Sequence, residues 1–89
     1  MTWHVIFTDA AKQDLKKLDK QTAKRIVDWI DSRLEGCSNP RVSGKGLTEN
    51  LSGYWRYRIG DYRAIARLDN GTITINIVKI NHRSKVYLP

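Results

Sequence analysis

The chain begins with an alternation of apolar and polar residues that is typical of a β-strand. Within residues 2–7, Trp3, Val5 and Phe7 would share one side of an extended backbone, because successive side chains of a strand point to opposite faces. The pattern therefore predicts a first strand at residues 2–7.

The pattern then changes to helical spacing in two consecutive segments. Residues 9–18 place apolar side chains three or four positions apart, with Thr8 or Asp9 as the N-cap. A second segment begins at Asp19 and ends at Gly36, since glycine favours the end of a helix. Because the two segments are short and closely joined, we predict an antiparallel helical hairpin. Its apolar side consists of Ala11, Leu15, Leu18, Ala23, Ile26, Val27, Ile30 and Leu34.

A loop and two turn signals organise the second half of the chain. Residues 36–53 are rich in Gly, Ser and Asn and predict the longest loop. Gly60-Asp61 fits a two-residue type II′ turn, and Asn70-Gly71 fits a two-residue type I′ turn. These signals predict three consecutive antiparallel strands at residues 54–59, 62–69 and 72–80.

Pairing across these turns predicts a sheet with one apolar and one basic face, in which Leu68 lies opposite Ile73. The apolar face should cover the helices and consists of Trp55, Tyr57, Ile59, Tyr62, Ala64, Ala66, Leu68, Ile73, Ile75 and Ile77. The other face carries Arg56, Arg58, Arg63, Arg67, Thr74 and Asn76, with Ile65 and Val78 among them. Arg58 would lie opposite Arg63, and such a like-charge pair destabilises a sheet. A bound anion would offset this repulsion, and guanidinium groups suit phosphate, so we predict an anion site here.

The charge of the whole chain also favours a polyanionic partner. Its 89 residues include 16 Lys and Arg against 9 Asp and Glu, a formal net charge of +7, which fits nucleic acid, an anionic membrane or an acidic protein. No apolar run reaches the roughly 18 residues that span a bilayer, and no signal peptide is recognisable. We therefore expect one cytoplasmic domain over residues 1–89 and no membrane partner. With Cys37 as the single cysteine, an internal disulfide and a cysteine-based zinc site are excluded.

The C-terminal segment adds chemically useful groups to the predicted anion site, because Asn81, His82, Arg83, Lys85 and Tyr87 lie within seven residues. Cleavage of RNA by its own 2′-hydroxyl needs a base, an acid and cations for the crowded phosphorane. The same side chains would be structural if Tyr87 packed on the core and His82 capped a strand. The sequence has no paired acidic cluster and no glycine-rich phosphate loop, so we expect no metal site and no cofactor.

The order of a helical hairpin, a basic β-meander and a terminal HRSKVY resembles the RelE/ParE superfamily of toxins from toxin–antitoxin modules, and the RelE branch in particular. The likeness covers nearly the whole chain and is most specific in GKGLTENLSGYWRYRIGDYRAI and ITINIVKINHRSKVY. It implies an α+β fold in which an N-terminal strand and a two-helix hairpin pack on one face of a small antiparallel sheet.

The resemblance also implies a function and partners. A RelE-like toxin would be a ribosome-dependent, metal-independent endoribonuclease that cuts mRNA in the A site, inhibits translation and leaves a 2′,3′-cyclic phosphate. Its cognate antitoxin would wrap around it and mask the basic face, and DNA would be bound only through the antitoxin complex.

Individual residues match positions of the family motifs. Arg56 and Arg58 match the basic pair before the Gly-Asp turn, and Arg63 matches the phosphate-binding arginine of GDYR. Arg83 matches a basic position upstream of the near-terminal tyrosine. Tyr87 matches that tyrosine, to which the family assigns acid–base work or stacking on the nucleotide.

One position departs from the family pattern. Asn81 stands where some RelE toxins carry a catalytic arginine, and His82 follows it as in relatives with a histidine-arginine motif. His82 is therefore a catalytic candidate, and the general base stays open between His82, Arg56 and Lys45. The predicted RNA-binding residues are Lys45, Arg67 and Lys85.

Two other functions stay open at the level of the sequence. A ParE-like gyrase inhibitor would share the fold without nuclease activity, and His82 and Tyr87 would then matter less. A non-catalytic RNA- or DNA-binding module would show salt-dependent affinity without cleavage.

Overall fold

Two helices and a five-stranded sheet make up the described part of the chain. The structure is a computed structural model that describes residues 2–48 and 52–85. The elements are β1 (His4–Phe7), α1 (Asp9–Lys16), α2 (Lys20–Arg33), β2 (Lys45–Gly46), β3 (Tyr54–Ile59), β4 (Tyr62–Asp69) and β5 (Thr74–His82). The strand order is β1-β5-β4-β3-β2. The predicted α+β class is confirmed, and the sheet is mixed because β1 pairs parallel to β5 whereas the other pairs are antiparallel.

Side-chain caps fix where the two helices begin. Thr8 rather than Asp9 is the N-cap of α1, since its hydroxyl accepts a hydrogen bond from the Ala11 amide at 3.2 Å. Asp19 caps α2 by accepting from the Thr22 amide at 3.0 Å. Such caps satisfy backbone N–H groups that have no partner within the helix. Both helices end earlier than the predicted residues 18 and 36, and Gly36 with φ +79° follows the end of α2.

The helices cover the apolar face of the sheet, as the alternation predicts. Tyr57, Ala64, Ala66, Ile75 and Ile77 are fully buried in one core. The helices contribute Ala11, Ile26, Ile30 and Leu34 to that core. The assignment of residues to the two faces is confirmed.

The connection between β4 and β5 differs from the predicted two-residue turn. Asp69 pairs with Thr74, so four residues lie between the strands, and Leu68 lies opposite Ile75 rather than Ile73. The side chain of Asp69 causes this, because its Oδ1 accepts hydrogen bonds from the amides of Gly71 (2.9 Å) and Thr72 (3.2 Å). An aspartate side chain that binds the backbone two residues ahead stabilises an alternative turn.

A β-bulge changes the register a second time. Ala66 lies opposite Ile77 and Ile65 lies opposite Lys79, which leaves Val78 without an opposite residue. The shift at the turn is two residues and keeps every side chain on its predicted face, since the period of a strand is two. Beyond the bulge the register moves by one more residue, so Ile80 joins the core. The strand ends at His82 rather than at residue 80.

Candidate functional site

The arginines of the outer sheet surface form two rows across the strands. In the first row, Lys45, Arg56, Ile65 and Lys79 lie side by side on β2, β3, β4 and β5. In the second row, Arg58, Arg63 and Asn81 lie side by side on β3, β4 and β5. We call this surface the basic face. The predicted opposition of Arg58 and Arg63 is confirmed.

A short strand that the sequence analysis missed extends the basic face. The predicted loop of residues 36–53 contains β2, whose Lys45 pairs with Arg56. Gly44 makes this approach possible, because a β-carbon there would collide with the Arg56 carbonyl and lie 2.8 Å from the Tyr57 ring. The signal was a lysine between two glycines, since glycine allows two backbones to approach closely.

The approach of β2 to β3 creates an open pocket of about 260 Å³. It is lined by Val42, Ser43, Gly44, Lys45, Arg56 and Arg58. Three cationic residues therefore line one cavity, and none of its lining residues within the described ranges is acidic. We call it the β2 pocket. Its charge suits a phosphate group, because arginine and lysine donate charge-assisted hydrogen bonds to phosphate oxygens.

Arg63 is held in place by backbone carbonyl groups beside this pocket. Its Nη1 donates to the carbonyl oxygens of Gly60 (3.3 Å) and Tyr62 (3.0 Å). Its Nε is buried, and none of the described residues accepts a hydrogen bond from it. Arg58 opposite is exposed. One guanidinium is therefore positioned by the Gly60-Asp61 turn while the other reaches into solvent.

The residues after β5 are attached to the same turn. The Arg83 amide donates to the Asp61 carbonyl at 2.7 Å, and the Arg83 Nε lies 3.7 Å from Asp61 Oδ1. Both side chains are about two-thirds exposed, at 63% and 66%, so the ion pair itself adds little stability. The backbone bond places Arg83 at the end of the sheet where Arg58 and Arg63 lie.

His82 lies on the opposite side of the sheet from Asn81. It pairs with Tyr62, and the two rings meet edge to face with centroids 5.3 Å apart. The Ser84 amide donates to His82 Nδ1 at 3.2 Å, so the neutral imidazole carries its proton on Nε2. The structure therefore does not place His82 beside Arg58 and Arg63.

The remaining predicted residues lie at the edges or outside the described part. Lys85 is exposed on the side of His82, where its amide donates to the His82 carbonyl at 2.9 Å. Arg67 is exposed between Tyr54 and Asn76, at the far end of the basic face. Tyr87 lies outside the described residues.

Two other groups with possible chemistry are held in unreactive states. Burial raises the pKa of the Tyr57 phenol far above its ordinary value, and its hydroxyl donates to the Pro40 carbonyl at 2.7 Å. Burial also raises the pKa of the Cys37 thiol, which disfavours the nucleophilic thiolate. Within residues 2–48 and 52–85, no three His, Cys, Asp or Glu side chains cluster as metal ligands would.

Comparison with known proteins places this chain and its fold in a class of bacterial and archaeal toxins. The family model for the ParE toxin of the type II toxin–antitoxin system parDE matches residues 5–87. Toxin RelE of Mycobacterium tuberculosis is 34% identical over 85 residues, which cover 96% of this chain and 86% of that protein. Toxin RelG of the same organism is 32% identical over 87 residues, which cover 98% of each.

Solved structures give the same result. A chain of the toxin–antitoxin complex RelBE2 from Mycobacterium tuberculosis superposes with a TM-score of 0.84 at 31% identity, over 93% of this chain and 100% of that one. A chain of the RelE–RelB complex from Pyrococcus horikoshii gives a TM-score of 0.70 at 28% identity, over 97% of this chain and 100% of that one. The chain belongs to the RelE/ParE family of type II toxins. Among the described residues, no helix is long and apolar enough to cross a membrane.

Proposed function

We propose that the protein is a RelE-type endoribonuclease that cuts mRNA in the ribosomal A site without a metal ion. The observation that carries the proposal is the second row of the basic face, where Arg58 lies directly opposite Arg63. Opposed like charges destabilise a sheet, and two more cationic residues, Lys45 and Arg56, lie in the adjoining row. A phosphodiester bound between the rows would neutralise the repulsion.

The proposed reaction is an internal transfer within the RNA. The 2′-hydroxyl oxygen forms a bond to the neighbouring phosphorus while the bond from phosphorus to the 5′-oxygen breaks, which leaves a 2′,3′-cyclic phosphate. The proton of the 2′-hydroxyl goes to a general base, and the departing 5′-oxygen takes one from a general acid. Arg58 and Arg63 would stabilise the extra negative charge of the phosphorane, as preorganised donors do at developing charges.

The residues proposed for the two proton transfers lie at the two ends of the arginine rows. Lys45 and Arg56 line the β2 pocket together with Arg58, so they can reach a phosphate held there. Arg83 lies at the Gly60-Asp61 turn. Tyr87 remains a proposed catalytic residue from the family motif. His82 is a candidate from the same motif, but it lies on the helix side of β5, so it could reach only RNA that passes around the end of the sheet. Arg67 and Lys85 would hold flanking RNA.

The proposed partners are an antitoxin, the ribosome and mRNA. The RelBE2 and RelE–RelB structures are complexes with antitoxins, and the basic face of this chain offers a surface that an acidic or extended partner could cover. We place DNA binding with the complex rather than with the toxin. We propose that residues 1–89 form one toxin domain that acts in the cytoplasm, where ribosomes are found.

Primer extension on a defined mRNA in a purified translation system tests the proposal. We expect cuts within codons that are absent from a ribosome-free control and disappear in Arg63→Ala. Lys12→Ala is the matched control, because Lys12 is an exposed cation on α1 away from the sheet. Cuts that persist in Arg63→Ala, or intact mRNA with the wild-type protein, would contradict the nuclease function.

A gyrase inhibitor is the second candidate, and one observation favours it. The family model that matches residues 5–87 is named for ParE, and a ParE-like protein needs the fold without the nuclease site. In that case mRNA would stay intact while a supercoiling assay with purified gyrase would show inhibition.

A further inference from the structure

A second pocket lies at the far end of the basic face from Arg63. Its volume is about 630 Å³, and its lining includes Arg67, Leu68, Asp69, Asn70, Asn76 and Val78. Arg67 follows Arg63 by four residues on β4, which corresponds to about 13 Å at the usual rise of a strand. We call this cavity the Arg67 pocket. It is larger than the β2 pocket and is separated from it along the strands.

The β-bulge shapes the apolar part of the Arg67 pocket. Val78 has no opposite residue on β4, because Ile77 pairs with Ala66 and Lys79 pairs with Ile65. A bulge bends its strand and redirects the extra side chain. Val78 thereby lines the cavity, and its side chain offers an apolar contact surface for a flat ring, whereas the Leu68 side chain packs against the core on the other face of the sheet.

The polar part of the pocket combines one cation, one carboxylate, two amides and the hydroxyl of Thr8. Asn76 uses its Nδ2 in a long bond to the Arg67 carbonyl, at 3.3 Å. Asn70 accepts from Arg41 Nη2 at 2.8 Å. Asp69 is fixed through Oδ1 by backbone amides, and hydrogen bonds from Thr72 lower its pKa. The carboxylate is therefore held in its ionised form beside Arg67.

The carboxylate decides which part of a nucleotide suits this pocket. The described lining of the β2 pocket consists of cationic and uncharged residues, whereas here Asp69 lies next to Arg67. An ionised carboxylate repels a phosphate, but it accepts hydrogen bonds from the amino and imino groups of a neutral base. A pocket with paired donors, a carboxylate and an apolar wall therefore fits a base better than a phosphate.

We propose that the Arg67 pocket binds a purine base of single-stranded RNA and that guanine fits best. The Arg67 guanidinium presents two donors that match the O6 and N7 acceptors of guanine. Asp69 would accept from the guanine amino group, and Val78 would contact the ring. The inference deepens the proposed function and rests on it, because it assumes that RNA lies along the basic face.

Equilibrium binding tests the inference without any cleavage. Fluorescence anisotropy would compare a short labelled oligouridine with the same oligomer carrying one central guanosine. We expect the wild-type protein to bind the guanosine oligomer about tenfold more tightly, the size of one good base contact. Asp69→Asn keeps the shape and the Oδ1 acceptor, so it should remove this preference and strengthen binding of oligouridine. Gln13→Ala, an exposed amide on α1, should keep the preference.

Equal affinity of the wild-type protein for the two oligomers would overturn the inference, and so would a preference that survives in Asp69→Asn. Because no cleavage is measured, either result is independent of the primer-extension test. The guanine could belong to mRNA or to ribosomal RNA. An altered pattern of cut codons in Asp69→Asn would identify mRNA, whereas an unaltered pattern with weaker ribosome binding would identify ribosomal RNA.

Discussion

The opposed arginines Arg58 and Arg63 should lower the stability of the free protein. Two unit charges about 7 Å apart repel by about 0.6 kcal/mol in water, and physiological salt screens more than half of this because the Debye length is about 8 Å. Cross-strand pairs of like charge are destabilising by a comparable amount. Replacing one of the two arginines by neutral glutamine should therefore stabilise the fold at low salt.

A double-mutant cycle isolates the repulsion from other effects of the substitutions. Arg58→Gln, Arg63→Gln and the double variant would be unfolded thermally at low and high salt. Arg58→Gln is the cleaner single variant, because Arg63 also donates to the Gly60 and Tyr62 carbonyls. We expect Arg58→Gln to raise the Tm by about 2–5 °C at low salt, since 1 kcal/mol corresponds to about 4–8 °C in a domain of this size. The gain should shrink at high salt.

Anions provide the second part of the same test. Sulfate or a short RNA should raise the Tm of the wild-type protein more than that of Arg58→Gln, because a ligand stabilises only the state that binds it. The coupling energy in the cycle should be repulsive and should decrease with salt. A coupling energy of zero at low salt, or equal stabilisation of both proteins by the anion, would refute the link between the charge pair and an anion site.

Three further outcomes follow from the contacts. Gly44→Ala should abolish cleavage and lower the stability measured by urea unfolding by about 1–3 kcal/mol, because the added carbon overpacks against β3. Unchanged cleavage would argue against a role of the β2 pocket in the reaction. Tyr57→Phe should cost about 1–3 kcal/mol in the same assay, since the buried Pro40 carbonyl loses its donor; full stability would contradict this. The Val5 amide lowers the pKa of the Glu35 carboxyl group below 4.5, so the stability that the ionised carboxylate contributes is present above that pH and is lost as the pH falls through the lowered pKa. Glu35→Gln should therefore lose less stability than the wild-type protein between pH 7 and pH 3 in unfolding experiments. An equal loss of stability in the two proteins would refute this.

The sequence predicted the faces of the sheet better than its connections. Alternation placed Tyr57 and Ile75 inside and the arginines outside, and a two-residue slip cannot change that assignment because a strand has a period of two. The predicted two-residue turn after β4 is wrong, because the Asp69 side chain binds the backbone of the turn and competes with the type I′ turn that Asn-Gly favours. The bulge at Val78 has no local signal, since it depends on how β4 and β5 pack against the helices.

The site was predicted in part for similar reasons. Arg58 and Arg63 could be paired from the Gly60-Asp61 turn alone, because a two-residue turn fixes which residues are opposite. The contribution of Lys45 could not be located, since β2 forms only by tertiary contact with β3. Strand alternation without a bulge would place His82 on the same face as the arginines. The bulge shifts the register by one residue and turns the His82 side chain to the other face.

The parallel pairing of β1 with β5 has a consequence for how the toxin is made. His4 pairs with Thr74, so the first strand to leave the ribosome cannot pair until a strand that begins 70 positions later has been synthesised. At about 5–20 residues per second this delay is about 4–14 s. Contacts between residues so distant in the chain also slow folding itself. The sheet that carries the basic face therefore cannot be completed early in synthesis, and a nascent chain has an interval in which it can be captured before it can act.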